Sequence, residues 1–413
     1  MPKNNEQLIM GLDVGASKIT CAIGVVSSTG RITIWDAKEA PSLGWRKGTV
    51  IDADLAAVSL REAINPLRFT AGVEAASIQV GFSPQAIDTY RIKTAIPIVG
   101  REHRVTDDDI WEALTVIKKQ TVLENRAILH MVPIEYYIDN QLVIEPLGKK
   151  GKILTVETII ITTPAEIVDN LINIVQQAGI NVKETTLSSL ASSEVLLNAT
   201  DKEFGTVYVD VGGQTTDIAV YNRGLLKGVA VLPIGSDHIT SDLAIGLRTS
   251  LACAERIKLQ YGIQPDFSTG GVVEIDALTG GNKSSISCRI VVEIIEARVN
   301  EMLALIREAI ASINHNGFVP SGIILGGRGA LLPGLVEFAE KGLSLPVRLR
   351  KPQVYLKPGT KIDTTAYSAA IGLIKYRSVY IRDKSSRHTR SFNSPLDLSS
   401  LMGKFKTWIH EHF

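Results

Sequence analysis

Thr206–Val220 reads TVYVDVGGQTTDIAV, and Leu8–Ile23 reads LIMGLDVGASKITCAI. Each is an apolar, β-branched run, an Asp-Val-Gly turn and a second apolar run, the pattern of two strands joined by a tight turn. Superposing Asp13 on Asp210 places Gly15 on Gly212 and Ala16 on Gly213. One hairpin therefore opens two halves of the chain, which predicts an internally duplicated, two-lobed α/β architecture. At 413 residues a single core is not expected either.

Composition is that of a globular protein, with 45% hydrophobic and 21% charged residues. The formal charge of +1 gives no chain-wide attraction to nucleic acid, and no nucleic-acid partner is expected. Charge is uneven, however: from Arg377 onward seven Lys and Arg face three Asp and Glu, leaving +4 in the tail and −3 elsewhere. Cys21, Cys253 and Cys288 are odd in number and far apart, which argues against a disulfide framework or a cysteine metal site and for a reducing compartment. Neither a secretion signal nor an uninterrupted apolar span is visible.

Between the hairpins, the stretch from about Gln85 to Thr163 reads as a small α+β insertion. Its helix is expected at Thr106–Lys119, with Thr106 as cap, Asp107–Asp109 in the first turn and Lys118 and Lys119 at the end. Strands are expected at Ala127–Ile138 and Leu154–Ile161, then helices at Pro164–Ala178 and Leu187–Asn198. Past the second hairpin, Ile239–Tyr261 reads as mostly helical, Phe267–Ser287 as short strands, and Ile290–Ile313 as a long amphipathic helix. Gly322–Leu335, GIILGGRGALLPGL, reads as a buried strand running into glycines, and Thr364–Tyr376 as an Ala/Gly-rich helix.

The hairpins have the ingredients of anion-binding turns. Gly15, Gly212 and Gly213 leave backbone N–H groups unobstructed, and Ser17, Lys18, Thr215 and Thr216 add donors. A carboxylate beside phosphate is repulsive unless a cation intervenes, so Asp13 and Asp210 fit as outer ligands of hydrated Mg²⁺ on a nucleotide. The alternative, ordinary Asp positions in two turns, is weakened by the duplication. Gly326-Gly327-Arg328 can bring backbone close to adenine and ribose, but it matches neither the P-loop nor G-x-G-x-x-G. Glu255 and Lys258, at i and i+3, can bracket a ribose or form a plain surface ion pair.

Taken in order, these motifs resemble the actin-like ATPase superfamily and, over essentially the whole chain, the FtsA family of bacterial cell-division proteins. GLDVGASKITCAIG resembles the first phosphate motif, VYVDVGGQTTDIAVY the second and GIILGGRGALLPGL the adenosine motif. Leu232–Gly262, LPIGSDHITSDLAIGLRTSLACAERIKLQYG, is the stretch most specific to that family, and Ile138–Gly148, IDNQLVIEPLG, resembles its inserted subdomain. The resemblance implies that Asp13, Gly15, Ser17 and Lys18 contact phosphate and metal, faced by Asp210, Gly212, Gly213 and Thr215 from the other lobe. It further implies that Glu255 and Lys258 hold the ribose of ATP and that Gly326, Gly327 and Arg328 lie near adenosine.

The same resemblance divides the chain into duplicated ribonuclease H-like domains with attachments. The first lobe comprises 1–84, an inserted subdomain at 85–163, and 164–205. The second comprises 206–238, a small subdomain at 239–306, and 307–358. Residues 359–382 return to the first lobe, 383–395 are a flexible linker, and 396–413 form a membrane-binding amphipathic helix. Two departures stand out. Arg328 occupies a place usually held by a small residue, and Thr186–Ala191 has no Glu or Gln to position water, so only slow ATP turnover is expected.

The terminal helix can be argued without the family. Leu398, Leu401, Met402, Phe405, Trp408 and Ile409 form an apolar stripe, with Lys404, Lys406 and His410 beside it. Those are the ingredients of a helix lying in a lipid headgroup plane, the alternative being a helix docked on its own domain. By resemblance the protein sits at the cytoplasmic face of the membrane at the division site and tethers FtsZ, the tubulin-like division GTPase. The C-terminal peptide of FtsZ would bind the small subdomain, where Arg298 is either a contact or an exposed helix charge. Self-assembly into actin-like filaments and recruitment of later division proteins are also implied. The rivals are a pilus or secretion scaffold, which has no need of the lipid helix, and a small-molecule kinase, which needs a catalytic Asp not found in the insertion.

Overall fold

The computed structural model describes residues 7–384, apart from 28–29, 72–76, 100, 122–123, 183–184, 265–269, 277–282 and 315–318. The first lobe opens with strands β1 (Gln7–Val14), β2 (Lys18–Val26) and β3 (Ile32–Pro41). A two-rung hairpin, β4 (Trp45–Arg46) and β5 (Thr49–Val50), leads to helix α1 (Ala53–Ala71) and strand β6 (Ser77–Phe82). The chain then leaves for an inserted unit of β7 (Asp88–Pro97), α2 (Asp107–Gln120), β8 (Arg126–Ile138), β9 (Gln141–Val143) and β10 (Ile153–Pro164). It returns through α3 (Ala165–Gln177), β11 (Thr185–Leu187), α4 (Ser188–Leu196) and α5 (Ala199–Phe204).

The second lobe begins with β12 (Thr206–Val211), β13 (Thr216–Asn222) and β14 (Leu225–Leu232). Helices α6 (Ser236–Gly246) and α7 (Leu251–Tyr261), strands β15 (Val272–Asp276) and β16 (Lys283–Ser287) and the long helix α8 (Cys288–Ile313) make its subdomain. Then come β17 (Ile323–Gly326), α9 (Leu335–Leu343) and β18 (Val347–Leu349), and the chain rejoins the first lobe as β19 (Tyr355–Leu356) and α10 (Ser368–Lys384).

The duplication extends to connectivity, apart from β19, which is added at the edge of the first sheet. One sheet runs β11-β6-β1-β2-β3-β19 and the other β18-β17-β12-β13-β14. In each, the opening strand is antiparallel to the next and parallel to a later one: β1 to β2 and β6, β12 to β13 and β17. The apolar runs of the hairpins thus lie at the centre of each sheet, where Leu12, Ile23, Val209 and Ile218 are fully buried.

The inserted unit follows its sequence closely. Thr106 caps α2 in a reciprocal capping box with Asp109, and Lys118 and Lys119 close its last turn. Its sheet runs β7-β10-β8-β9 and is covered on both sides. Leu154, Val156 and Ile160 of β10 pack with α2, whereas Ile159 and Ile161 join a cluster with Tyr208, Val229 and Val231 of the second lobe.

Most boundaries lie within three residues of the sequence expectation, and three differences are larger or change the element. The helical stretch at Ile239–Tyr261 is two helices, broken where Arg248 adopts φ 52° and Ser250 caps α7. Thr364–Tyr367 is a 3-10 turn ahead of α10, which continues to Lys384, two residues into the expected linker. The Ala/Gly-rich composition of α10 follows from its crossing with α4: a Cβ on Gly372 would overlap the carbonyl of Ala191. The rest of the linker and the terminal helix, with Leu401, Lys404, Phe405, Lys406, Trp408 and Ile409, lie outside the described residues.

Candidate functional site

The two Asp-Gly turns meet at a cavity of about 190 Å³ between the lobes. The first lobe supplies Asp13, Gly15, Ser17 and Lys18, and the second faces them with Asp210, Gly212, Gly213 and Thr215. Glu255 and Lys258 of α7 line the same cavity, as do Gly327 and Arg328 from the loop after β17. Gly326 does not. It ends β17 behind the cavity, where a Cβ would strike the ring and hydroxyl of Tyr208, so its smallness serves strand packing and not ligand approach.

Three carboxylates concentrate negative charge here. Asp13 accepts a hydrogen bond from Ser188 Oγ at 2.5 Å, and Asp210 accepts from Tyr208 OH at 2.6 Å and Ser192 Oγ at 3.3 Å. The third, Asp217, is held by the Ser83 hydroxyl of the opposite lobe. Burial pushes Asp13 up to about 7, against the bond from Ser188, and pushes Asp217 up to about 8 with repulsion from Asp210 adding to it. Asp210 is also raised by burial. Among the described residues no Lys or Arg pairs with any of the three. Carboxyls raised in this way and lacking a cationic partner suit a cation, whose charge would favour their ionised forms. No three His, Cys, Asp or Glu side chains among the described residues converge closely enough to hold a bare ion. A cation here would therefore complete its shell with water and phosphate, which fits Mg²⁺.

Sequence reasoning missed Asp217, although the duplication contains the signal. In hairpin register Asp13 lies opposite Thr20, and Asp210 lies opposite Asp217. Residues directly opposite in an antiparallel pair share a face, so a side chain aimed into the cavity brings its partner with it. Also missed were the contacts that join the lobes. Ser17 donates to Asp237, Gln214 Oε1 accepts from the Lys47 backbone N–H at 3.0 Å, and Arg328 pairs with Glu39, which also holds Lys18 at 3.3 Å.

Lys258 is buried, unlike a surface ion pair, and donates to Glu255 Oε2 at 2.7 Å, Thr240 Oγ1 at 3.0 Å and the Ser236 carbonyl at 3.2 Å. Glu255 remains 43% exposed, its carboxylate held at the cavity edge. Arg298 lies away from the cavity on α8. Its guanidinium bonds Asp242 at 2.6 and 3.0 Å and Glu301 at 2.5 Å, so it is neither at this site nor a free cation.

The comparisons with known proteins agree along the chain. Residues 207–372 match the family described as Cell division protein FtsA, and residues 85–162 match the SHS2 domain inserted in FTSA. The chain is 30% identical over 418 residues to the cell division protein FtsA of Neisseria meningitidis, covering 100% of both. It is 29% identical to that of Pseudomonas aeruginosa, covering 98% of both, and 27% identical to that of Escherichia coli, covering 99% of both. Solved structures share the fold at low identity. The PilM-PilN type IV pilus biogenesis complex superposes with a TM-score of 0.63 at 16% identity, over 89% of this chain and 97% of that one. MreB5 of Spiroplasma citri bound to ADP gives 0.57 at 13%, over 92% and 99%, and the MamK double helical filament 0.51 at 12%, over 90% and 99%. The fold is thus actin-like, and the chain belongs to the FtsA family of bacterial cell division proteins.

Proposed function

We propose that this cell-division protein binds ATP with Mg²⁺ between its lobes and tethers FtsZ to the cytoplasmic face of the membrane at the division site. The observation that carries the nucleotide reading is the set of three cation-free carboxylates, Asp217 buried and Asp13 and Asp210 half-buried, beside two glycine turns. Asp13 and Asp210 would hold the metal through water, and Gly15, Ser17, Lys18, Gly212, Gly213 and Thr215 the phosphates. Glu255 and Lys258 would hold the ribose, with Gly327 and Arg328 near the base. A bound magnesium ion supplies the positive charge that lets phosphates and carboxylates share one site. Ser188 lies in the stretch expected to position water, and its hydroxyl is already given to Asp13, which supports slow turnover.

FtsZ tethering is supported by family membership and by the apolar stripe of the tail. Among the described residues no helix is long and apolar enough to cross a membrane, so attachment would fall to that tail. An acidic peptide of FtsZ reaching Arg298 would replace Asp242 on its guanidinium. Assembly into filaments is supported by the shared fold with the MamK filament. Titration with a fluorescent ATP analogue, with and without Mg²⁺, tests the core of the reading. Saturable, Mg²⁺-dependent binding that disappears in Gly212→Val is expected; no binding by the parent chain would remove the proposal.

A further inference from the structure

Thr365 is 1% exposed and lines the cavity between the lobes, yet its Oγ1 has no hydrogen-bond partner. Among the described residues the other buried orphans, such as Trp45 Nε1, Thr158 Oγ1 and Ser189 Oγ, lie outside this cavity. A hydroxyl stripped of water and left unpaired is unfavourable and persists where something else completes it. The backbone around it is already satisfied: its N–H reaches Asp363 Oδ1 at 3.1 Å and its carbonyl accepts from Ser368 Oγ at 2.8 Å. Only the hydroxyl is left over.

The placement says what completes it. Thr365 sits in the 3-10 turn that enters α10 and packs on β2, the strand that brings Lys18 and Thr20 into the cavity. Ala366, Ser368 and Ala369 line the cavity beside it, small residues at the positive end of a long helix. We propose that Thr365 is a phosphate-binding residue, its hydroxyl donating to the phosphate chain of the bound nucleotide. This rests on the reading of the cleft as a nucleotide site. Through Thr365 the ligand grips α10, which crosses α4 at Gly372 over Ala191. Helix α4 in turn gives Ser188 to Asp13 and Ser192 to Asp210. Both crossing helices therefore report on the ligand, and α10 is the one that continues toward the amphipathic tail.

Thr365→Val keeps the shape and removes the hydroxyl, and Thr365→Ser keeps the hydroxyl. The full-length parent and both variants are titrated with ATP·Mg²⁺ and with adenosine, and melted without ligand. Thr365→Val should bind ATP about ten-fold more weakly and adenosine as the parent does, with an unchanged or higher melting temperature, while Thr365→Ser matches the parent. Parental ATP affinity in Thr365→Val overturns the inference and leaves the nucleotide reading intact. Equal weakening for adenosine moves the hydroxyl to the nucleoside and overturns the phosphate assignment. A lower melting temperature without ligand makes the residue structural. A parent that binds no ATP removes the nucleotide reading itself.

Discussion

Arg328 of the second lobe is ion-paired with Glu39 of the first, at the mouth of the cleft, and Glu39 also holds Lys18. The arginine that departs from the usual small residue thus joins the lobes. The Arg328 side chain is 47% exposed and that of Glu39 28%, so the pair is worth at most about 1 kcal/mol. Glu39→Gln should speed release of a fluorescent nucleotide a few-fold, with less difference from the parent at high salt as screening removes the pair. Stopped-flow displacement at two ionic strengths measures this, and identical release at low salt would show that the contact gates nothing.

Asp210→Asn should separate stability from binding. Asp210 is half-buried with its carboxyl raised and no cation beside it, so neutralising it relieves the folded protein. The variant should melt higher than the parent without ligand and bind ATP·Mg²⁺ about ten-fold more weakly, about 1.4 kcal/mol. Gly212→Val should abolish binding, because even its Cβ comes within 2.9 Å of the Thr215 carbonyl before the rest of the side chain enters the phosphate turn. Calorimetric melts and titrations on both proteins decide the matter.

The raised carboxyls also set a pH dependence. Asp13 at about 7 and Asp217 at about 8 hold protons in the folded state over a range where the unfolded chain, near 3.8, has lost them. The folded state binds more protons there, so stability of the ligand-free protein should fall as pH rises from about 4 to about 8. Binding of ATP·Mg²⁺ should have the opposite sign, strengthening with pH and releasing protons, because the cation favours the ionised carboxylates. Melts at pH 5.5 and 8.5, with calorimetric titrations in buffers of different ionisation enthalpy, test both signs together.

In the tail, Trp408→Glu should release the protein from liposomes at any salt, because it puts a charge into the apolar stripe. Lys404→Ala combined with Lys406→Ala should weaken binding chiefly on anionic vesicles at low salt, each cation contributing about 1 kcal/mol. Parental co-sedimentation of Trp408→Glu would mean that the stripe packs on the protein itself.

Much of this was legible in the chain. The Asp-Val-Gly hairpin announced two lobes because it occurs twice, once near the start of each half of the chain. Its eight turn residues line one cavity from two sides, where Glu255, Lys258, Gly327 and Arg328, expected from other motifs, join them. Thr106, Asp107 and Lys119 marked α2 because capping and helix-end charge are local effects, fixed within a turn. What the sequence hid was non-local. Gly326 looks like its neighbour Gly327, and only the ring of Tyr208 behind it separates packing from ligand approach. Asp217 became visible through strand register, Glu39 through lobe closure, and Thr365 through a fold that returns residue 365 to the wall begun at residue 13. Sequence alone determined the repeated unit and the chemistry of its turns, because those depend on neighbours along the chain. Tertiary structure alone decided which distant hydroxyls and charges meet across the cleft, because burial and electrostatics depend on what is near in space.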